Sequence, residues 1–354
     1  PGDASAMTEE IIARIEGCVG RITLNRPRAL HALTTAMCRV IIGALQSWKT
    51  DSAVDLVLID HAGERGFCAG GDIRMLAESG AKDGVQAREF FFDEYRMNAL
   101  LMDYSKPICV MMDGVVMGGG VGLALPCRYR IATERTTFAM PETGIGLFPD
   151  VGGGWHLPRL PGETGLWLAL TGARIKAADC LLLGVATDYV ESAMLEALKA
   201  AIIEDPAAIE TVLTEYEADP GEPLLAQHQD GIDATFGAAS VEAILQALRE
   251  DGSPWAIAQH ETLLTKSPQT LKVAFRQLRK GKALTSFHDN MAMEYRIGAR
   301  VVALPDFLEG VRAVIVDKDN APKWSPPFLE GVSEAMLDEI FAPLPAGEEW
   351  TPLP

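Results

Sequence analysis

Two short β-rich runs, Ile11–Ile15 and Val19–Leu24, flank Gly17 and predict an opening hairpin. Asn25-Arg26-Pro27 ends it, and helical spacing of apolar positions predicts a helix over Thr34–Trp48. Leu56-Val57-Leu58-Ile59 is a wholly apolar run, the pattern of a parallel strand covered on both faces. A glycine loop follows it, and a helical pattern resumes at Ile73. The same order then recurs: a helix over Phe90–Met102, an apolar strand over Pro107–Met112, a glycine loop at Gly118–Gly122 and a helix from Val121 to Pro126. Tyr129–Ala132 and Thr137–Ala139 read as further strands. Strand, glycine loop and helix in repeated succession indicate an α/β fold. Ligands in such sheets lie beyond the carboxyl ends of the strands, where both glycine loops fall.

After about residue 190 strand-like runs nearly vanish. Ala/Leu/Glu-rich helical segments take over, punctuated by Asp219-Pro220-Gly221-Glu222-Pro223 and Ser253-Pro254. The expected organisation is an α/β core over residues 7–190, carrying the site, and a mainly α-helical region over 191–354. There is no internal repeat and no long low-complexity tract.

The chain has 354 residues, enough for a large core, and 48% of them are hydrophobic, as in ordinary globular proteins. The net charge of −18 argues against nucleic acid or an anionic membrane as partner. An anionic small ligand remains compatible, through a local basic patch or helix N-termini. The longest weakly charged run, Pro107–Pro126, contains Asp113 and many glycines, and reads as strand, loop and helix rather than a membrane span. Residues 1–6 precede Met7, carry no secretory leader pattern and read as foreign to the natural start. None of the six cysteines forms a CxxC pair, and none has a histidine at zinc-finger spacing. Most lie in apolar context, as buried free thiols of a reducing compartment do. Cys68 sits in a glycine loop, but no nearby histidine would activate it. His31, His61 and His156 show no metal-ligand spacing, and no metal is expected.

Three segments carry the chemistry. Phe67-Cys68-Ala69-Gly70-Gly71-Asp72 and Met117-Gly118-Gly119-Gly120-Val121-Gly122 can each aim free backbone N–H groups at a substrate oxygen. Met140-Pro141-Glu142 through Leu147-Phe148-Pro149-Asp150 places two carboxylates on one short Gly/Pro-rich stretch. Two donors and two carboxylates suggest acyl chemistry without a serine or cysteine nucleophile. Glu142 suits a general base acting on water, or a nucleophile that forms an anhydride for water to open. Asp150 could bind a substrate hydroxyl, orient water or protonate a leaving thiolate, or it could cap the helix that follows. Asp72 opens a helix, where the dipole favours a carboxylate. Arg74, Lys318 and Lys323 are either solvated or near a ligand's phosphates.

These loops, with Asp150-Val151-Gly152-Gly153-Gly154 and the stretch Asp306-Phe307-Leu308-Glu309-Gly310-Val311-Arg312-Ala313, Asp317-Lys318 and Pro322-Lys323-Trp324, resemble the crotonase (enoyl-CoA hydratase/isomerase) superfamily. Within it, they are most similar to the 3-hydroxyisobutyryl-CoA hydrolase subgroup. The likeness spans roughly residues 10–330 and is weakest between 190 and 285. It implies a spiral of ββα units, trimeric or hexameric assembly, and an oxyanion hole made by the N–H groups of Ala69 and Gly119. It further implies substrate contacts from Gly70, Gly71, Asp72 and Glu94, the last otherwise read as part of a solvated helix face. Hydratases of the superfamily use a second glutamate where this chain has Gly122, so the resemblance favours the hydrolase pairing of Glu142 with Asp150. The implied reaction is hydrolysis of 3-hydroxyisobutyryl-CoA or a close 3-hydroxyacyl-CoA in valine catabolism. CoA enters as part of the substrate and no other cofactor is needed. The implied location is a bacterial cytoplasm or a mitochondrial matrix. The alternatives are an enoyl-CoA hydratase or enoyl/dienoyl isomerase, and a non-catalytic acyl-CoA-binding protein.

Overall fold

The six expected β-rich runs all form strands, and three short strands that were not expected join them among the described residues: β1 (Ile11–Glu16), β2 (Val19–Leu24), β3 (Leu56–His61), β4 (Gly66–Cys68), β5 (Ile108–Met112), β6 (Val115–Met117), β7 (Tyr129–Ala132), β8 (Thr137–Ala139) and β9 (Asp188–Tyr189). The unexpected ones are β4, β6 and β9. The computed structural model describes residues 9–354, so the expected start at Met7 lies outside the described residues. β1 and β2 form the expected antiparallel hairpin. Every later pairing is parallel, in two sheets ordered β1-β2-β3-β5-β7-β9 and β4-β6-β8. Successive pairs β3–β4, β5–β6 and β7–β8 each place one strand in the large sheet and the next in the small one. This is the expected spiral.

Side chains of the large sheet alternate between two apolar layers, as a period of two requires. Ile22, Leu24, Val57, Ile59, Val110 and Met112 join the main core. Val19, Leu56, Leu58, Cys109 and Met111 face the opposite way, under helices Leu195–Glu204 and Ile209–Tyr216. That double coverage is why β3 and β5 read as unbroken apolar runs.

Four helices frame the site: α1 (Thr35–Lys49), α2 (Ile73–Gly80), α3 (Val85–Met102) and α4 (Gly119–Ala124). Thr34 caps α1 through its side chain, which accepts from the Met37 N–H. α3 starts before the expected Phe90, because Asp83 accepts from the Val85 N–H and Ser79 Oγ from the Ala87 N–H. α4 begins at Gly119 rather than Val121, so the second glycine loop is itself the first turn of a helix. Glycines carry no side-chain periodicity from which that start could be read.

The C-terminal helices share the main core. One apolar cluster runs from Ile11 through Leu278, Met291 and Val301 to Trp350. Helix Phe287–Val301 packs on α3, and helix Pro305–Val311 packs on α2. The chain end folds back over α3: Trp350 is buried and its Nε1 donates to the Phe92 carbonyl at 3.1 Å, while Arg96 Nε donates to the Thr351 carbonyl at 2.8 Å. Trp350→Ala is therefore expected to cost about 3–5 kcal/mol in urea unfolding. A loss under about 1 kcal/mol would show that the tail stands outside the cooperative core.

Candidate active site

β4 and β6 lie side by side, so the glycine loops that follow them abut. A Cβ on Gly120 would sit 2.3 Å from the Cys68 carbonyl oxygen, and one on Gly119 would sit 3.2 Å from the Gly70 carbonyl carbon. Only glycine permits this approach. As the first residue of α4, Gly119 has an N–H with no partner one turn back, and no other acceptor among the described residues bonds it.

The other expected donor, Ala69, is a correction. Its N–H donates to the Leu30 carbonyl at 2.9 Å and is not free. Gly71 forms a parallel bridge with Leu33: the Leu33 N–H donates to the Gly70 carbonyl and the Asp72 N–H to the Leu33 carbonyl. In that geometry the Gly71 N–H points away from Leu33, and it has no acceptor among the described residues. Gly71 and Gly119 line one cavity of about 190 Å³ from opposing loops, each with an N–H that bonds no described residue.

Three carboxyls line the same cavity: Glu94 from α3, and Glu142 and Asp150 from the segment after β8. Glu142 opens a 3₁₀ turn, Glu142–Ile145, and its carbonyl accepts from the N–H groups of Gly146 and Leu147. Helix Pro305–Val311 braces that turn closely, since a Cβ on Gly310 would lie 2.2 Å from the Ile145 carbonyl oxygen. Asp306 of the same helix is itself fixed, accepting from Ser267 Oγ at 2.6 Å and the Ser325 N–H at 2.7 Å. Asp150 does not cap a helix: Gly152 holds the cap position of Gly153–His156, and the Asp150 carboxyl instead accepts the Tyr95 hydroxyl at 2.8 Å. Glu94 is 2% exposed, which corrects the reading of a solvated face. Its Oε2 lies 3.1 Å from where a Gly119 Cβ would be, and among the described residues neither it nor Glu142 Oε2 has a hydrogen-bond partner.

Three buried carboxyls lining one largely apolar cavity cannot all ionise as isolated ones do. Burial, then the charge of Asp150 and then that of Glu142, hold Glu94 well above the usual carboxylate range. Burial and then Asp150 do the same to Glu142. Burial raises Asp150 to about 7, against the lowering effect of the Tyr95 hydroxyl. Near neutral pH the trio keeps protons that solvated carboxyls lose, so it contains acids as well as a base.

The remaining expected residues separate. Asp72 does not line the cavity; it caps α2, accepting from the Met75 N–H at 3.2 Å. The Cys68 thiol is buried, pushed up to about 12, and donates to the His31 carbonyl, so it is no nucleophile. His31 is buried and His61 partly so; their rings lie 5.4 Å apart and their nitrogens bond backbone groups. Of the six cysteines only Cys18 is exposed. Arg74 and Lys323 line an outer cleft of about 870 Å³, whereas Lys318 does not. This cleft and the inner cavity share walls: Ile73 and Leu76 of α2 face the inner space, Arg74 and Ala77 the outer. Tyr95 was not singled out from the sequence, although it directly follows Glu94; only the approach of the Asp150 segment to α3 gives it a role.

Gly122 is the position where, by the resemblance, hydratases carry their second glutamate. A Cβ there would lie 2.6 Å from Val151 Cβ and 2.7 Å from Asn98 Nδ2. Both neighbours are buried, and Val151 occupies the space a longer side chain would need.

With this geometry in place the relationships of the chain become clear. Residues 19–341 match the enoyl-CoA hydratase/isomerase family, and the chain belongs to it. It is similar to the mitochondrial 3-hydroxyisobutyryl-CoA hydrolase of Danio rerio, 46% identical over 96% of this chain and 91% of that protein. The mitochondrial 3-hydroxyisobutyryl-CoA hydrolase of Homo sapiens is 43% identical over 96% and 90%. Among solved structures it resembles a carnitinyl-CoA dehydratase from Mycobacterium thermoresistibile, with TM-score 0.92 and 40% identity over 97% of this chain and 98% of that one. An enoyl-CoA hydratase from Rhodobacter sphaeroides 2.4.1 follows with TM-score 0.88 and 39% identity over 97% and 99%.

Two predictions arise from the site. Gly122→Glu should confer no hydration of crotonyl-CoA and should destabilise the fold by about 1–3 kcal/mol through overpacking; appearance of hydratase activity in a spectrophotometric assay would contradict the filled slot. The second concerns pH. Asp150 has a raised folded-state value, so its contribution to stability is complete below the unfolded value near 4 and is lost as pH rises toward and through about 7. Asp150→Asn should therefore raise the melting temperature more at pH 8 than at pH 5, whereas an equal change at both would contradict it.

Proposed function

We propose that this protein hydrolyses the thioester of 3-hydroxyisobutyryl-CoA, or of a close 3-hydroxyacyl-CoA, to the free hydroxy acid and CoA. The observation that carries the reading is the pairing of Glu142 with Asp150 in one cavity while Val151 and Asn98 fill the place of the second hydratase glutamate. Relatives named as hydrolases and solved structures named as hydratase or dehydratase are nearly equal in identity. Beside that likeness, the carboxyl set at the site supports hydrolysis.

The reaction balances as thioester plus water giving carboxylate, thiol and a proton, with no metal or redox cofactor. The acyl group enters the small inner cavity, and its carbonyl oxygen lies between the Gly71 and Gly119 N–H groups. Attack puts negative charge on that oxygen, and a preset donor of this kind is worth about 3–4 kcal/mol in the transition state. In its ionised form Glu142 either takes a proton from the attacking water or attacks the carbonyl itself, leaving an anhydride for water to open. As the C–S bond breaks, a carboxyl that still holds its proton supplies it to the sulfur. Asp150, raised to about 7 and lining the same cavity, suits that exchange or a hydrogen bond to the 3-hydroxyl. Glu94, with an unpaired oxygen, is a second partner for the hydroxyl. The nucleotide part of CoA would lie in the outer cleft, with Arg74 and Lys323 toward its phosphates. Among the described residues no helix is long and apolar enough to cross a membrane. The named relatives are mitochondrial, which supports a matrix location or, in a bacterium, the cytoplasm. Trimeric or hexameric assembly belongs to the same proposal.

Thiol release from 3-hydroxyisobutyryl-CoA, with crotonyl-CoA and acetyl-CoA alongside, tests the reading. Fast release from the hydroxy ester alone is expected; enoyl-signal change without thiol release would move the protein to the hydratase or isomerase reaction, and binding without any turnover would make it a CoA-ester carrier. Glu142→Gln should lower kcat by about 10²–10⁴-fold with little change in KM, and unchanged kcat would remove Glu142 from the chemistry.

A further inference from the structure

One fully buried carboxyl has no part in the hydrolysis just described. Glu294 lies in helix Phe287–Val301 and is 0% exposed. Its Oε1 accepts from the Gly152 N–H at 2.9 Å, and its Oε2 from the Gly154 N–H at 3.1 Å. Asn290 Nδ2, one turn back on the same helix, also donates to Oε2. Both amides belong to the turn that directly follows Asp150. On the other side of Asp150, Gln277 Nε2 donates to the Pro149 carbonyl at 2.7 Å. The catalytic segment is thus gripped before and after Asp150 by two helices of the C-terminal region.

Between Asp150 and Gly152 stands Val151, with φ of +52°. A β-branched residue is a true outlier there and stays only where its surroundings over-determine it. No residue with a free choice of conformation would remain in it; the two amide contacts of Glu294 fix the turn from the far side. The same conformation aims Asp150 toward Tyr95 and the cavity, and places Val151 against Gly122.

We propose that Glu294 is the positioning residue for Asp150: by accepting the Gly152 and Gly154 amides it holds Val151 left-handed, which presents the Asp150 carboxyl to the substrate and keeps the Gly122 slot filled. It acts through the turn and does not touch substrate. The activity readout rests on the hydrolase reading; the stability readout does not.

The test is a double-mutant cycle with Glu294→Gln and Val151→Gly. Glutamine opposes one of the two amides with an NH₂ group, whereas glycine adopts a φ of +52° without strain and needs no clamp. Glu294→Gln should lower kcat for 3-hydroxyisobutyryl-CoA by about 10–100-fold, the cost of a misplaced group, with KM little changed. The same Gln substitution made in the Val151→Gly protein should cost markedly less, both in kcat and in melting temperature. A folded Glu294→Gln protein with parental kcat overturns the proposal, as does a loss equally large in both backgrounds. If Glu294→Gln alone does not fold, recovery of a cooperative melt in the double variant supports the clamp, and failure to recover rejects it. A parent enzyme that releases no thiol would sink the hydrolase reading, while the melting temperatures of the cycle would still decide the role of Glu294.

Discussion

Everything at this site depends on two backbones touching. The loops after β4 and β6 come so close that a single methyl on Gly120 would run into the Cys68 carbonyl. That approach leaves the first N–H of α4 facing a second free N–H from Gly71, with only a small space between. Parallel strands in a small sheet make the contact geometrically natural, because their carboxyl ends point the same way and their loops emerge side by side. Donors fixed by packed backbone need no reorganisation when charge develops on a carbonyl oxygen, which is where such sites gain most.

The second constraint is electrostatic. Glu94, Glu142 and Asp150 meet in a cavity whose walls are otherwise apolar, among them Phe90, Phe91, Leu147 and Val314. Burial there makes charge costly, and each ionisation discourages the next. The chain tolerates this arrangement because the segments carrying the carboxyls are braced from outside. Helix Pro305–Val311 presses on the Glu142 turn, and helices Pro268–Ala283 and Phe287–Val301 hold the segment around Asp150. The helical region that follows the last strand is therefore part of the active-site scaffold, and the stretch from Asp306 to Gly310 has a physical reason for its composition.

The sequence revealed features whose cause is local. Unbroken apolar runs marked β3 and β5, helical spacing of apolar positions marked α1, and two carboxylates near glycine and proline marked the Glu142–Asp150 segment. It misled at Ala69, where motif position pointed to an N–H that a long-range bond to Leu30 already uses. It left open whether Asp150 caps a helix and whether Glu94 is solvated, because what decides each is contact with distant parts of the chain. Tyr95 and Glu294 gave no signal at all. One is a tyrosine within an apolar helix face and the other a glutamate within a helix, and neither type is informative without its neighbour in space.

By itself, the sequence determined the α/β repeat, the position of both glycine loops, the identity of the two principal carboxylates and the absence of a side chain at Gly122. These follow from period, residue type and spacing, which short-range physics reads directly. Only the tertiary structure decided which N–H groups are free, which carboxyls keep their protons, and what fills the space beside Gly122. Those properties depend on burial and on contacts between residues far apart in the chain. Val151 stands in Gly122's neighbourhood because a helix about 140 residues further on holds the turn in which it sits.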